Sequence, residues 1–570
     1  MILRDPVLGV ATAVGLALRA WGLGYGLPYV YNPDETAIMY RALALAENGL
    51  NPGNFLYPTF YFYVLAGAVG LLAMVRILTG EVASLRAFET RFWTDPSEIF
   101  LLGRGLSVLA GTLTIPCVYA LGHLVGGRRV ARVAAICLAV SYIPIRDAHF
   151  VKHDVPVALL VTLAVLAASR VRSIGDRRST IVAGALSGMA FATHYYAVFG
   201  VVSALGARVA RRLDEGAGVV GATLDRHVWM LVAAFVTTFA CLSPFVLLDA
   251  GTALRDIAAN RAIVVSRARE TFGPFGAGLE HVRLMATQGT GVAYLLAAVG
   301  GVMVIVRRQG RTALWVLSFP VLFFAFISNS WPFGRSENPL YPFLAVSAAV
   351  CVDALARAFA RARVGSSGTA IVVAATALLV AQPLWNAVVM DALMSQTDTR
   401  TQALDWIRTH VPDGEAIAVE PYSVPLTPTK GALRENLIAT RGSVDRAGYR
   451  FRVQLDRPNY PTPSYRLLTI GEGGQDQDKR YVSPEELLAS LGEEAAPSST
   501  SRVAYIVLKR FSRDVPNPLG ERLGSTATLV QTISPFVDDQ GIEAQLPDYD
   551  IKPSLHVARP GPIVEIWKTK

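Results

Sequence analysis

Asp34 and Glu35 stand side by side in Tyr31-Asn32-Pro33-Asp34-Glu35-Thr36, directly after the first long apolar segment. Carboxylates placed where a chain leaves a bilayer are candidates for function, because desolvating an ionisable group is costly. The chemistry open to them is general-base catalysis, in which a carboxylate takes the proton of an attacking hydroxyl or amine. Adjacent carboxylates also tend to raise one another's pKa, as a tuned base requires. Pro33 biases Asn32 away from helix, so the pair begins a turn or a short helix lying on the membrane. A plainer reading has Asn32 or Asp34 capping that helix and Glu35 solvated.

Cations recur in other loops. Arg104, Lys152, His194 and Arg335 can stabilise a departing phosphate, and the two-pronged guanidinium suits phosphate best. Each also has a structural use. Arg104 could anchor a span at the interface, Lys152 could snorkel to the headgroups, His194 could pack, and Arg335 could pair with Glu337. His149 and His153 are four apart beside Asp154, so on a helix these three could grip a divalent metal ion. Two histidines without a third fixed ligand make a weak motif, and the cofactor stays open.

The surroundings decide which chemistry is relevant. Hydrophobic residues make up 52%, charged residues 17%, and mean hydropathy is +0.38. A soluble chain would carry about a quarter charged residues. The apolar residues gather into blocks near the ~20 residues that cross a bilayer. Candidate spans are 7–27, 105–122, 131–146, 154–169, 181–194, 195–212, 228–248, 290–306, 312–330, 340–356 and 369–389. The expected architecture is a polytopic α-helical membrane protein with about 11–13 transmembrane helices over 1–390, followed by an extracytoplasmic α/β domain over 391–570. The first apolar block lacks a convincing cleavage site and is expected to stay as an anchor. The net charge of +9 reflects arginines in short loops, which is membrane topology and not nucleic-acid binding. The four cysteines all lie in apolar blocks, so no disulfide framework is implied for the polar part.

Arg-rich loops mark the cytoplasmic side. They are Arg128/Arg129/Arg132, Arg170/Arg172/Arg177/Arg178, Arg208/Arg211/Arg212, Arg307/Arg308/Arg311 and Arg357/Arg361/Arg363. With Arg4 inside, these spans place every cluster in the cytoplasm and the C-terminal part outside. Residues 57–79 break the parity if they cross alone, so they are expected to form a juxtamembrane or re-entrant element. The outward loops then hold Asp34, Glu35, Tyr57 and Arg104, the stretch Pro144 to Asp154, His194-Tyr195-Tyr196, a long loop at 249–289, and Trp331 to Pro342. Unusual polar residues thus converge on one membrane face. No nucleotide sugar is expected there, and a lipid-linked phosphosugar is the reasonable donor. Beyond 390, Thr399–His410 has helical spacing, and Ala416–Glu420, Val503–Leu508 and Ile563–Trp567 read as strands; Gly471–Lys479 and Glu493–Ser501 read as loops.

The order of motifs resembles the GT-C membrane glycosyltransferases, specifically the protein O-mannosyltransferases and lipid A aminoarabinose transferases. Asp34-Glu35 matches the acidic pair of that family's first outer loop, and Leu56-Tyr57-Pro58-Thr59 its aromatic-Pro segment, without the frequent second proline. Arg104-Gly105-Leu106-Ser107 through Gly126-Gly127-Arg128-Arg129 is similar to the next span and turn. His153-Asp154 precedes the following span where the family has an Asp. Gly188 through His194-Tyr195-Tyr196 is similar to a segment that often has Lys at position 194, and Arg335 through Tyr341-Pro342 to the late Arg…Tyr-X-X-Pro loop.

The resemblance covers about 1–390. It implies a polyprenyl-phosphate-linked sugar donor, inversion at the outer face, and Asp34 as catalytic base with Glu35 and Asp154 in support. It places Arg104, Lys152, His194, Tyr195, Arg335, Tyr341 and Tyr57 at the donor, although His in place of Lys at 194 puts that phosphate contact in question. The acceptor is not named, and a bacterial inner membrane is the expected location. Two other classes compete: a transporter or lipid flippase, and a catalytically silent scaffold. A transporter should show inverted repeats and midplane charge, and neither is evident.

Overall fold

The computed structural model describes residues 5–361, 368–473, 478–491, 503–537 and 551–570. Arg4, Arg363 and the expected loop Glu493–Ser501 lie outside the described residues. The chain forms two compact units: Met1–Leu23, Asp34–Gly70 and Leu102–Asp391 in one, and Gly24–Pro33, Leu71–Leu101 and Ala392–Lys570 in the other. Instead of one cut near 390, two stretches of the N-terminal part belong with the C-terminal unit.

The larger unit is helical. Among the described residues, six helices are long and apolar enough to cross a membrane: Phe60–Leu78, Ser97–Ala139, Asp154–Ser173, Val219–Leu242, Gly334–Arg361 and Gly368–His410. The pair Gly310–Val316 and Ser318–Ile327, bent by 53°, makes a seventh if it is one span. The protein is therefore a polytopic α-helical membrane protein. Pro6–Ala20, Arg177–Thr193, Phe199–Asp214 and Val292–Arg308 coincide with expected spans, but at 15 to 17 residues they fall short of the ~20 that cross a bilayer. A total of 11–13 depends on these shorter helices.

Two local expectations change, and one helix is broken where two expected spans meet. Residues 57–79 give an uninterrupted 19-residue helix, Phe60–Leu78, with the length and composition of a span. The parity that assigned the sides then no longer closes on the eleven blocks alone. The expected long loop at 249–289 is largely helical, including π-helical turns at Ala262–Ser266 and Met285–Gly289. Ser97–Ala139 is broken at Gly127, whose φ of 80° and ψ of −168° suit glycine. That break divides two of the expected spans.

Small residues let helices approach closely. A Cβ on Gly184 or Gly188 would strike the backbone oxygens of Leu231 and Phe235. These glycines, four apart on Arg177–Thr193, seat Arg226–Leu242 at backbone contact, the small-xxx-small solution of membrane helices. Several arginines of the clusters are ion-paired. Arg128 and Arg132 each lie 2.9 Å from Asp5, and Arg129 lies 3.0 Å from Asp353. Arg172 and Arg311 share Asp214, and Arg208 donates to Asp225. Helix Asp154–Ser173 has Asp154 at one end and Arg170 and Arg172 at the other. Its 20 residues at about 1.5 Å each separate these chemistries by about 30 Å.

The second unit contains a six-stranded sheet: β1 (Ala416–Val419), β2 (Arg466–Ile470), β3 (Tyr481–Val482), β4 (Tyr505–Arg510), β5 (Ala527–Ile533) and β6 (Ile563–Thr569). Its order is β3-β2-β1-β4-β6-β5, parallel from β3 to β4 and antiparallel at β6 and β5. The three expected strands correspond to β1, β4 and β6; β2, β3 and β5 were not foreseen. Helix Thr399–His410 forms over the expected residues, capped by the Asp398 side chain accepting from Arg400 N. Its Ala403, Leu404 and Ile407 pack with Ile417, Val507 and Ile566 on one face of the sheet. Leu487, Leu519 and Leu523 pack with Ala418, Ile506 and Leu508 on the other. Cover on both faces explains why every residue of β1 is buried.

Candidate active site

Pro33 opens a helix, Pro33–Ala44, with Asp34 and Glu35 in its first turn. Proline suits the first helical position, and the helix N-terminus favours carboxylates. At 3.6 residues per turn, neighbours point about 100° apart, so the acidic pair cannot act as one group. The two side chains go to different places.

Glu35 is fully buried. It accepts from Arg104 Nε at 2.9 Å, from Arg104 Nη2 at 2.8 Å and from Val151 N at 2.9 Å. Arg104 also donates to Leu23 O at 2.6 Å. This two-pronged pair ties the Pro33–Ala44 helix to Ser97–Ala139 and to the loop before Asp154. Glu35 is thus buried and not solvated, and the Arg104 guanidinium is turned inward onto it, since a buried charge needs its opposite.

Asp34 keeps 36% of its side chain exposed, with Arg335 Nη1 at 2.6 Å and Lys152 Nζ at 3.5 Å. Burial pushes its carboxyl up, but Lys152 and Arg335 outweigh that and hold it below the usual carboxylate range. The expected mutual raising by Glu35 does not occur, because Glu35 faces away. Arg335 does not pair with Glu337, which instead lies 3.1 Å from His281 Nδ1. The Arg335 guanidinium lies over the Phe333 ring at 4.6 Å and within electrostatic reach of Tyr57, Asp154 and Asp147. Asp34, Lys152, Arg335, Asp154 and Tyr57 therefore form one cluster: a partly exposed carboxylate between two cations, with a second carboxylate behind.

The other expected residues have the following neighbours. His149 places Nδ1 2.9 Å from Ile145 O and Nε2 2.7 Å from Trp21 O. His153 stacks on Tyr57 at 4.3 Å, with Tyr61 and Phe62 around it. Among the described residues, no group of three His, Cys, Asp or Glu side chains is arranged to hold a metal; His149, His153 and Asp154 do not converge. His194 sits edge-on to Tyr57 at 5.1 Å and stacks on Tyr196 at 3.6 Å. Burial holds its pKa well below the ordinary histidine value, so it is a neutral ring and not a cation. Tyr195 donates to Phe55 O at 3.1 Å, fixing the segment before Tyr57. Tyr341 is fully buried, its hydroxyl without a hydrogen-bond partner among the described residues.

Burial, and then the nearby Arg41, lowers the His153 pKa to about 3. The ring stays neutral in the folded protein while the unfolded chain takes a proton below about 6.5. Stability is therefore full above pH 6.5 and falls as pH drops towards 3. At pH 4 the loss is about 3 kcal/mol. Melting of detergent-solubilised protein should fall between pH 6.5 and 4, and His153→Phe should flatten that fall. Equal slopes in both proteins would remove His153 as the cause.

Sequence reasoning missed three groups. Arg41 lies within electrostatic reach of Tyr57, Asp256 and Asp34; its position two turns after Asp34 on the same helix was the available signal. Arg146 Nε donates to Asp147 at 2.9 Å, and Asn338 Nδ2 to the same carboxylate at 2.9 Å. The third is His281 with Glu337, both fully buried. Nothing in the spacing of residues 281 and 337 announces that pairing.

Residues 101–247 match the sequence profile of the dolichyl-phosphate-mannose-protein mannosyltransferase family. The chain resembles the GT-C membrane glycosyltransferases. Solved structures with a similar arrangement include ArnT from Cupriavidus metallidurans bound to undecaprenyl phosphate, at 13% identity and TM-score 0.49, covering 98% of this chain and 97% of that one. The oligosaccharyltransferase of Archaeoglobus fulgidus in the apo form is similar at 13% identity and TM-score 0.44, covering 88% of this chain and 69% of that chain. The S. cerevisiae Pmt1-Pmt2 complex bound to the sugar donor is similar at 16% identity and TM-score 0.30, covering 46% and 36%. No curated protein matches the sequence significantly.

Proposed function

We propose that the helical unit is an inverting glycosyltransferase that moves a sugar from a polyprenyl-phosphate donor to a hydroxyl or amine at the extracytoplasmic face of a bacterial inner membrane. The observation that carries this reading is Asp34 held by Arg335 at 2.6 Å and Lys152 at 3.5 Å while still partly open to solvent. The profile match over 101–247 supports the same class.

The donor tail lies in the bilayer and brings its phosphate to Arg335 and Lys152, with Arg41 close by. As the phosphate draws these cations, Asp34 loses the charges that depress its pKa and becomes the stronger base. It takes the acceptor proton as the acceptor oxygen or nitrogen attacks the anomeric carbon. The bond from that carbon to the phosphate oxygen breaks, and the cations stabilise the departing polyprenyl phosphate. Asp154 sets the field behind Arg335. The protein's C-terminal unit is placed outside the cytoplasm in this scheme.

The test is purified protein in liposomes with a panel of labelled polyprenyl-phosphate sugars, read as release of polyprenyl phosphate and of labelled product. Release that saturates with one donor is the expected result. Donor movement across the bilayer without cleavage would favour a flippase, and donor binding without turnover a silent scaffold; either would overturn the proposal.

A further inference from the structure

Arg335 lies on a short 3₁₀ segment, Gly334–Leu340, at the start of helix Gly334–Arg361. Such segments make poorer hydrogen bonds than an α-helix, and Pro339 within this one has no N–H to give. The turn therefore takes its position from what its side chains hold. With about three residues per turn, Asn338 shares the Arg335 face and Glu337 points away from it. The contacts agree. Asn338 Nδ2 donates to Asp147 at 2.9 Å, and Asp147 is within electrostatic reach of Arg335. Glu337 pairs at 3.1 Å with His281 Nδ1, which comes from helix Ala277–Leu284.

His281 and Glu337 are both completely buried. Neither His281 Nε2 nor Glu337 Oε2 has a hydrogen-bond partner among the described residues, so the bond between Nδ1 and Oε1 carries the pair. A buried polar pair is often no more stabilising than apolar side chains of the same bulk. What it adds is direction. A hydrogen bond weakens steeply as its donor is misaligned, whereas apolar burial is non-directional. The transfer scheme uses Asp34, Lys152, Arg335 and Asp154 and leaves this pair without a task.

We propose that His281 and Glu337 are positioning residues: their buried hydrogen bond fixes the Gly334–Leu340 turn so that Arg335 meets Asp34 and the donor phosphate. This inference rests on the transfer reaction proposed above. Neither residue touches the reacting atoms. Glu337 holds one side of the turn, Asn338 holds the side that carries Arg335, and together they set the direction of the guanidinium.

Three variants of the full-length protein in liposomes are compared with wild type. Glu337→Gln keeps an oxygen for His281 Nδ1. Glu337→Asp keeps the charge but withdraws it by one methylene. His281→Leu combined with Glu337→Leu replaces both groups, so neither is stranded. Donor kcat/KM should stay within about threefold of wild type in Glu337→Gln. It should fall about 10–100-fold in the other two, the cost of a misplacement remote from the chemistry. In an Arg335→Gln background those two should cost nothing further. A second readout needs no turnover. Phenylglyoxal modification of Arg335, followed by mass spectrometry, should be about fivefold faster in Glu337→Asp and in the double variant, because the guanidinium is no longer held 2.6 Å from Asp34. Glu337→Asp carries the test if the double variant does not fold. A wild type that turns over no donor removes the transfer reading, and the modification rates then decide by themselves whether the pair positions Arg335. Modification rates equal to wild type, losses that multiply with that of Arg335→Gln, or an equal loss in Glu337→Gln would overturn the proposal.

Discussion

Asp34→Asn lowers turnover by about 10²–10⁴-fold, the usual worth of a positioned general base, while the donor binds as well as before or more tightly. Asparagine matches the shape of aspartate but cannot take the acceptor proton. It also removes the negative charge that partly neutralises Arg335 at 2.6 Å and Lys152 at 3.5 Å, so both cations meet the phosphate with their full charge. A purely structural Asp34 would instead weaken binding and lower the melting temperature together. The pH profile separates the two further. Arg335 and Lys152 keep Asp34 ionised below the usual carboxylate range, so the acid limb of kcat/KM lies at lower pH than for a free carboxylate. The acid limb of kcat, measured with donor bound, lies higher, because the phosphate now holds the cations. Initial rates from pH 4 to 8 with and without saturating donor check this. Full activity in Asp34→Asn would keep the enzyme and remove its base.

Breaking the Glu35–Arg104 pair destabilises the helical unit by about 3–5 kcal/mol, and removing both partners costs much less. Glu35 and Arg104 are both almost completely buried, so Glu35→Leu alone strands a guanidinium without its counter-charge and Arg104→Met alone strands a carboxylate. The double variant replaces two desolvated charges with apolar side chains of similar bulk, which is often nearly neutral. Thermal unfolding in one detergent, compared across the two single variants and the double, gives the coupling directly. Additive losses would mean that the pair is not the unit of stability. Activity should fall in the single variants as well, because Glu35 also holds Val151 N at 2.9 Å and so positions the loop carrying Lys152.

Much of the larger architecture was legible in the sequence because it rests on local composition. Apolar blocks near the span length, arginine clusters between them and a fall in hydropathy after 390 need no knowledge of tertiary contacts. Helix Thr399–His410 was readable for the same reason: its periodicity and the following Val411-Pro412-Asp413-Gly414 turn are local signals. The strands that went unforeseen are β2, the two-residue β3 and the mostly exposed β5. β3 and β5 are the two edge strands of the sheet; such strands carry little periodicity of their own, and pairing defines them.

The sequence by itself determined that this is a multi-span membrane protein with a polar C-terminal part, and it named Asp34, Lys152 and Arg335 as residues of interest. Only the tertiary structure decided which charges meet. Asp34 and Glu35 are adjacent in sequence, yet one faces Arg335 and the other is locked to Arg104, since one helical step turns a side chain by about 100°. His149 and His153 have a spacing that could grip a metal, but their rings face carbonyl oxygens and an aromatic cage. Residue type and spacing record what a group can do; burial and the charge opposite it decide what it does, and both are set by residues far away in the chain.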